Sequence, residues 1–211
     1  VSKLDLGSDQ VHVWLVPLDD PDKKRRRQLA QIAQRQILAA YLAVDPDAIE
    51  LELGEYGKPR LAGGELRFNL SHSGPVAMLA LSRELELGID IQGPHRAAGK
   101  PWFAGRICTA RELQQLGPDP KPAELLRLWA RKEAVIKARG DLSYVSAGEI
   151  DVWGQDVDGA WFCTDIPTAP WPDHHAAVVF PRGRGAVALR GLWDPQTGSP
   201  RDQAQGASGP G

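Results

Sequence analysis

Twice along this 211-residue chain a long helical pattern is set among short β-like runs, and that repeated unit constrains the fold more than any other feature. In the first unit, residues 11–17 (VHVWLVP) alternate and are rich in β-formers, which predicts an opening strand. The stretch that follows, with Asp and Pro at its start, carries Leu29, Ile32, Ala33, Gln36 and Ile37 at helical spacing and ends near Pro46. Residues 49–53 read as a short strand and 54–64 as a Gly- and Pro-punctuated loop. Residues 67–70, 76–82 and 85–91 then read as a meandering half-sheet, and 93–100 (GPHRAAGK) as a linker. In the second unit, residues 102–116 predict a broken helix and 123–139 a strong helix stopped by Gly140, followed by strands at 149–153, 160–165, 176–180 and 186–192. The expected fold class is α+β: two similar lobes, each a helix on a small, mainly antiparallel sheet, meeting at a cleft. The boundaries are 1–94 and 95–195, with a Gly-, Ser-, Pro- and Gln-rich tail over 196–211 expected to be disordered.

A net charge of −2 gives no global attraction to nucleic acid, so an anionic ligand must be met by local charge. Cys108 and Cys163 lack metal-knuckle or redox-pair spacing, which reads as two free thiols in a reducing compartment, a single disulfide being the alternative. Residues 1–10 have no signal-peptide pattern, and no apolar run approaches the roughly 18 residues of a membrane span, so a cytoplasmic protein without membrane contact is expected.

In LGIDIQ a period of two puts Gly88, Asp90 and Gln92 on one strand face and Leu87, Ile89 and Ile91 on the other. An acid exposed on the solvent side of a strand has the same pattern. In LWARKEAVIKARG helical spacing aligns Trp129, Glu133 and Lys137, which fits either an ordinary Glu–Lys surface pair or, joined to Asp90, two carboxylates for a hard cation and a lysine for phosphate charge. Ser71 and His72 end a strand before the Gly74-Pro75 turn, where they are suited to bind phosphate or to serve structurally. The run KKRRR at 23–27 reads as a solvated helix face or a phosphate contact. His174 and His175 are adjacent, face opposite sides of a strand and receive no role.

Taken together, GEYGKP at 54–59, FNLSHSG at 68–74, GIDIQ at 88–92, RICTARE at 106–112 and LWARKEAVIK at 128–137 resemble the surfactin-type 4'-phosphopantetheinyl transferases over roughly residues 11–195. The resemblance implies a pseudo-dimer of two α+β lobes, active as a monomer, with coenzyme A in the interlobe cleft and magnesium, or manganese, as the metal. It implies Asp90 and Glu133 as metal ligands, Lys137 on the pyrophosphate, and Ser71 and His72 on the coenzyme A phosphates. Gly57, Lys58 and Pro59 would lie near the adenine, Trp129 and Lys132 would complete the helix side, and Arg26, Arg27 or another member of the KKRRR run, assigned by position and not by a matched motif, would meet the 3'-phosphate. Where the family often has a second strand acid this chain has Gln92, a weaker ligand for a hard cation, expected to bind the metal directly or through water.

The implied reaction is attack of a carrier-protein serine on the β-phosphorus of coenzyme A, releasing adenosine 3',5'-bisphosphate, with Glu133, Glu112 or a metal-bound hydroxide as base. The partners would be apo acyl or peptidyl carrier domains of fatty acid, polyketide or nonribosomal peptide synthesis. A non-catalytic coenzyme A or carrier-binding module of the same fold is the alternative. A nucleic-acid binder using KKRRR is disfavoured by the net charge.

Overall fold

The computed structural model describes residues 3–54, 57–140 and 146–201. In chain order the elements are β1 (Gln10–Pro17), α1 (Lys23–Leu42), β2 (Leu51–Leu53), β3 (Pro59–Leu61), β4 (Arg67–Ser73), β5 (Val76–Ser82) and β6 (Gly88–Gln92). They continue with α2 (Pro101–Ile107), α3 (Ala110–Leu116), α4 (Pro122–Arg139), β7 (Asp156–Val157), β8 (Trp161–Ile166), β9 (His175–Pro181), β10 (Ala186–Asp194) and β11 (Ser199–Pro200).

The long helices start and stop for local reasons. Asp22 caps α1 by accepting the Lys24 N–H at 2.9 Å, which satisfies a donor that has no partner inside the helix. Pro122 opens α4, where its missing N–H costs nothing, and Gly140 closes it in the left-handed conformation at φ 72°. Leu29, Ala33 and Ile37 of α1 turn inward, while Ile32 stays 39% exposed.

Two sheets face each other. One has the order β11-β10-β1-β5-β4 and the other β6-β9-β8-β7, with β2 and β3 as a separate antiparallel pair. Val13, Leu15, Met78, Ile89, Ile91 and Val178 belong to one core cluster that joins strands of both large sheets. A second cluster packs α1 on the first sheet through Ala33, Ile37, Trp14 and Leu79. A third packs α4 on the second sheet through Leu128, Val135, Cys163 and Val179. The molecule is thus mixed α+β, layered helix, sheet, sheet, helix.

Several expectations change. Strand β6 does not extend the β4–β5 meander; it pairs antiparallel with β9, while β10 crosses back to pair in parallel with β1. The sheets therefore exchange strands across the expected boundary at residue 94. Residues 149–153 form no strand: Ile150 and Val152 are buried, and their carbonyls accept from Lys132 and Arg131 of α4 instead of from a neighbouring strand. The expected loop 54–64 contains β3, and part of the expected tail forms β11 on β10. The remainder of that tail, 202–211, lies outside the described residues, as do Glu55 and Tyr56 of the GEYGKP block. Cys108 and Cys163 are both buried free thiols. Among the described residues no helix is long and apolar enough to cross a membrane.

Candidate functional site

The alternation in LGIDIQ decides which way Asp90 faces. Leu87, Ile89 and Ile91 fill the core between the sheets, so Gly88 and Asp90 point the other way, toward α4. There the helix comes close, because Gly88 has no side chain to hold it off: a Cβ would lie 2.1 Å from the Ala134 carbonyl oxygen. Asp90 is 3% exposed, which excludes the reading of a solvent-facing strand acid.

Burial of a carboxylate requires donors, and three are supplied. Lys137 Nζ donates to Asp90 Oδ1 at 2.6 Å, Ser71 Oγ donates to the same oxygen at 2.7 Å, and Gln92 Nε2 donates to Oδ2 at 2.6 Å. Lys137 also reaches Ser71 Oγ at 3.1 Å and the Ile89 carbonyl at 3.3 Å. One helical turn before Lys137, Glu133 is half-buried; its desolvation and then the Asp90 charge raise its pKa, with Lys137 opposing. Two carboxylates and an ammonium group thus meet where β6 crosses α4.

Gln92 is consequently a partner of Asp90, and Ser71 is 7% exposed and bonded to the same carboxylate, rather than free for a coenzyme A phosphate. Strand β4 explains this. Its Phe68 and Leu70 face α1, whereas Asn69, Ser71 and Ser73 face β6 and accept the N–H groups of Ile89, Ile91 and Gly93 at 2.9, 3.4 and 2.9 Å. Asn69 and Ser73 received no role from the sequence, although their alternation with Phe68, Leu70 and His72 in FNLSHS was the available signal.

Two cavities of about 260 and 190 Å³ share Pro59 and Phe68; neither is lined by Asp90, Glu133 or Lys137, and the smaller reaches Asn69, whose side chain holds β6. The larger includes Lys58, Arg67, Glu86, Arg139 and Gly140, and the smaller brings Arg27 of α1 to His72 of β4. Lys58 Nζ donates to the Leu87 carbonyl at 2.8 Å beside Glu86, and burial lowers its pKa. Partial burial, and then the charges of Arg27, Lys137, Lys23 and Arg26, lower the pKa of His72, so the KKRRR run contributes positive potential at this imidazole. Arg26 Nη1 donates to the carbonyls of Asp20 and Pro21 at 2.8 and 3.1 Å, leaving Arg27 as the arginine of the pair that lines the cavity.

Lys132 must be corrected. It is 0% exposed, and its ammonium group donates to Glu112 Oε2 at 2.6 Å on the core side of α4, away from the cavities. The step from Lys132 to Glu133 turns about 100° around a helix, so neighbours in sequence face different surroundings. Glu112 also accepts the N–H groups of Thr109 and Val152, and this sealed environment removes it as a base for an external hydroxyl. Trp129 is half-buried, its ring 6.0 Å from that of Phe103.

Among the described residues no cluster of three His, Cys, Asp or Glu is suited to a metal. The available set is two carboxylates, from Asp90 and Glu133. Magnesium typically takes one or two carboxylates and completes its shell with substrate phosphates and water, so this pair fits such an ion.

Comparison with known proteins gives the same answer over much of the chain. Residues 86–179, which contain Asp90, Glu133 and Lys137, match the model of the 4'-phosphopantetheinyl transferase superfamily. The chain is 31% identical over 170 residues to the 4'-phosphopantetheinyl transferase HetI of Nostoc sp., an alignment covering 65% of this chain and 72% of HetI. It is 38% identical over 113 residues to the 4'-phosphopantetheinyl transferase AcpT of Escherichia coli, covering 52% of this chain and 56% of AcpT. With the L-aminoadipate-semialdehyde dehydrogenase-phosphopantetheinyl transferase of Xenopus laevis it shares 31% identity over 125 residues, 52% of this chain and 41% of that protein. The alignments thus span about half the length of the latter two relatives. The order of motifs, the acids and lysine they bring together and these similarities lead to one conclusion: the chain belongs to the 4'-phosphopantetheinyl transferase superfamily.

Proposed function

We infer that the protein is a surfactin-type 4'-phosphopantetheinyl transferase that moves the phosphopantetheine arm of coenzyme A onto a serine of an apo acyl or peptidyl carrier protein. The observation that carries this reading is the buried Asp90 joined to Lys137 at 2.6 Å, with Glu133 beside it on α4. The pairing of each large sheet with its own helix supports a two-lobed pseudo-dimer, with β4, β6 and α4 walling the cleft. Both acids and the lysine come from one chain, which supports action as a monomer, and coenzyme A and carrier proteins as substrates suit a cytoplasmic location.

In this reading the nucleotide end of coenzyme A occupies the two adjoining cavities. Arg27 and His72 meet the 3'-phosphate, and Lys58 and Pro59 lie along the adenine. Asp90 and Glu133 would hold magnesium, which when bound supplies charge neutralisation and polarises the pyrophosphate. Lys137, held by Asp90, Ser71 and the Ile89 carbonyl, brings a positive charge to the pyrophosphate, and exchanging one of the two longer bonds for a phosphate oxygen would stabilise the charge that grows on the leaving phosphate. The serine oxygen forms a bond to the β-phosphorus as the bond to the 5'-phosphate oxygen breaks, releasing adenosine 3',5'-bisphosphate. Glu133, through a carboxylate oxygen not engaged by the ion, would take the serine proton.

The test is incubation with coenzyme A, magnesium and a panel of apo carrier proteins, followed by intact mass. The wild type should load at least one carrier, and Asp90→Asn or Glu133→Gln should lower the rate by at least about 100-fold while circular dichroism stays unchanged. A wild type that binds coenzyme A but loads no carrier would leave a binding module of the same fold.

A further inference from the structure

Strands β4 and β6 are edges of different sheets. A buried strand edge leaves N–H groups that must find acceptors. Those of β6 and of Gly93 just after it are met by side chains: Asn69 Oδ1 for Ile89, Ser71 Oγ for Ile91 and Ser73 Oγ for Gly93. The steps are two residues on each strand, so three alternate side chains of β4 stand in for the backbone of a neighbouring strand. Asp90 lies between the first two rungs, and the middle hydroxyl also holds its carboxylate. Beyond the third rung the way is closed, since a Cβ on Gly93 would lie 2.5 Å from His174 Nε2. The same strand lines the cavity that contains Arg27 with Phe68, Leu70 and His72, and Asn69 reaches its edge.

We propose that Asn69, Ser71 and Ser73 are positioning residues. Through this ladder they fix the height of β6 against β4, and so set the position of Asp90 relative to the phosphate-binding face carried by the same strand. The kinetic consequence rests on the transferase reading, whereas the ladder does not. A small displacement of a reacting group costs rate without removing binding contacts, so loss of a rung should appear in kcat before KM.

Ser73 is the rung to test, because its side chain touches neither Asp90 nor the two cavities. In Ser73→Ala, exchange of the Gly93 amide followed by NMR should quicken about tenfold, the effect of losing one hydrogen bond. The kcat for carrier loading should fall about tenfold, with KM for coenzyme A and calorimetric affinity for adenosine 3',5'-bisphosphate within about twofold of wild type. Ser73→Thr, which keeps the hydroxyl, should restore both exchange and kcat. Unchanged Gly93 exchange would overturn the ladder, whether or not the wild type transfers anything. Faster exchange with unchanged kcat would make the ladder structural only, and a raised KM at constant kcat would put Ser73 on the substrate; either result overturns the positioning role. An inactive wild type with the expected exchange pattern would refute the transferase reading and the positioning role with it, while leaving the ladder standing.

Discussion

A methyl group on Gly88 would lie 2.1 Å from the Ala134 carbonyl oxygen and 2.4 Å from the Ala138 nitrogen, so the glycine two residues before Asp90 sets how near α4 can come. Lys137 reaches Asp90 because of that approach. Gly88→Ala must push the helix off the strand, and we expect a loss of roughly 3 kcal/mol in urea unfolding together with loss of carrier loading. Gln92 makes a different point. Its amide donates to Asp90 Oδ2 at 2.6 Å, so Gln92→Glu replaces a donor with a like charge. In EDTA this variant should melt below wild type, and magnesium should raise its Tm more than it raises that of wild type. An equal magnesium shift, read by scanning fluorimetry, would mean that residue 92 does not sense the metal.

At the scale of elements, α4 presents two chemistries from two sides. Glu133 and Lys137 face Asp90, whereas Lys132 and Arg131 reach the other way, to Glu112 and to the carbonyls of Ile150, Val152, Trp153 and Gly154. The fully buried Lys132–Glu112 pair fixes the helix's rotation. Removing one partner strands a charge, so Lys132→Met should cost roughly 3–5 kcal/mol. Adding Glu112→Gln keeps the acceptor for the Val152 N–H without the stranded charge, and the double variant should be more stable than Lys132→Met alone. A double-mutant cycle in urea checks this. The same helix shows where local reading stops: spacing aligned Trp129, Glu133 and Lys137, but it could not tell that Lys132 points into a core, because burial is a property of what lies opposite.

For the whole molecule, stability should depend on acid through His12. It is 2% exposed, with Nδ1 2.7 Å from the Tyr41 hydroxyl and Nε2 3.1 Å from Gln10 Oε1. Trp14 Nε1 donates to the Tyr41 oxygen, so the tyrosine can donate to a neutral His12. Burial first, and then Arg190, lower the His12 pKa from 6.5 to about 4. The folded state therefore resists protonation: its advantage is full above pH 6.5 and declines as pH falls toward 4, by about 2 kcal/mol between pH 7 and pH 5. Urea unfolding at the two pH values should show this loss, and His12→Gln should reduce it. Both long helices and the alternation that sends Asp90 one way and Ile89 the other were legible in the sequence, because periods of 2 and 3.6 residues are local properties of the chain, whereas the pairing of strand acid with helical acid and lysine was implied by the resemblance of the motifs to the transferase family. The return of β10 to β1, the departure of β6 to β9, the Ser71 hydroxyl on Asp90 and the burial of Lys132 were decided by tertiary structure alone. A residue's face is set by its nearest neighbours along the chain, whereas its partner is set by which distant surfaces pack together.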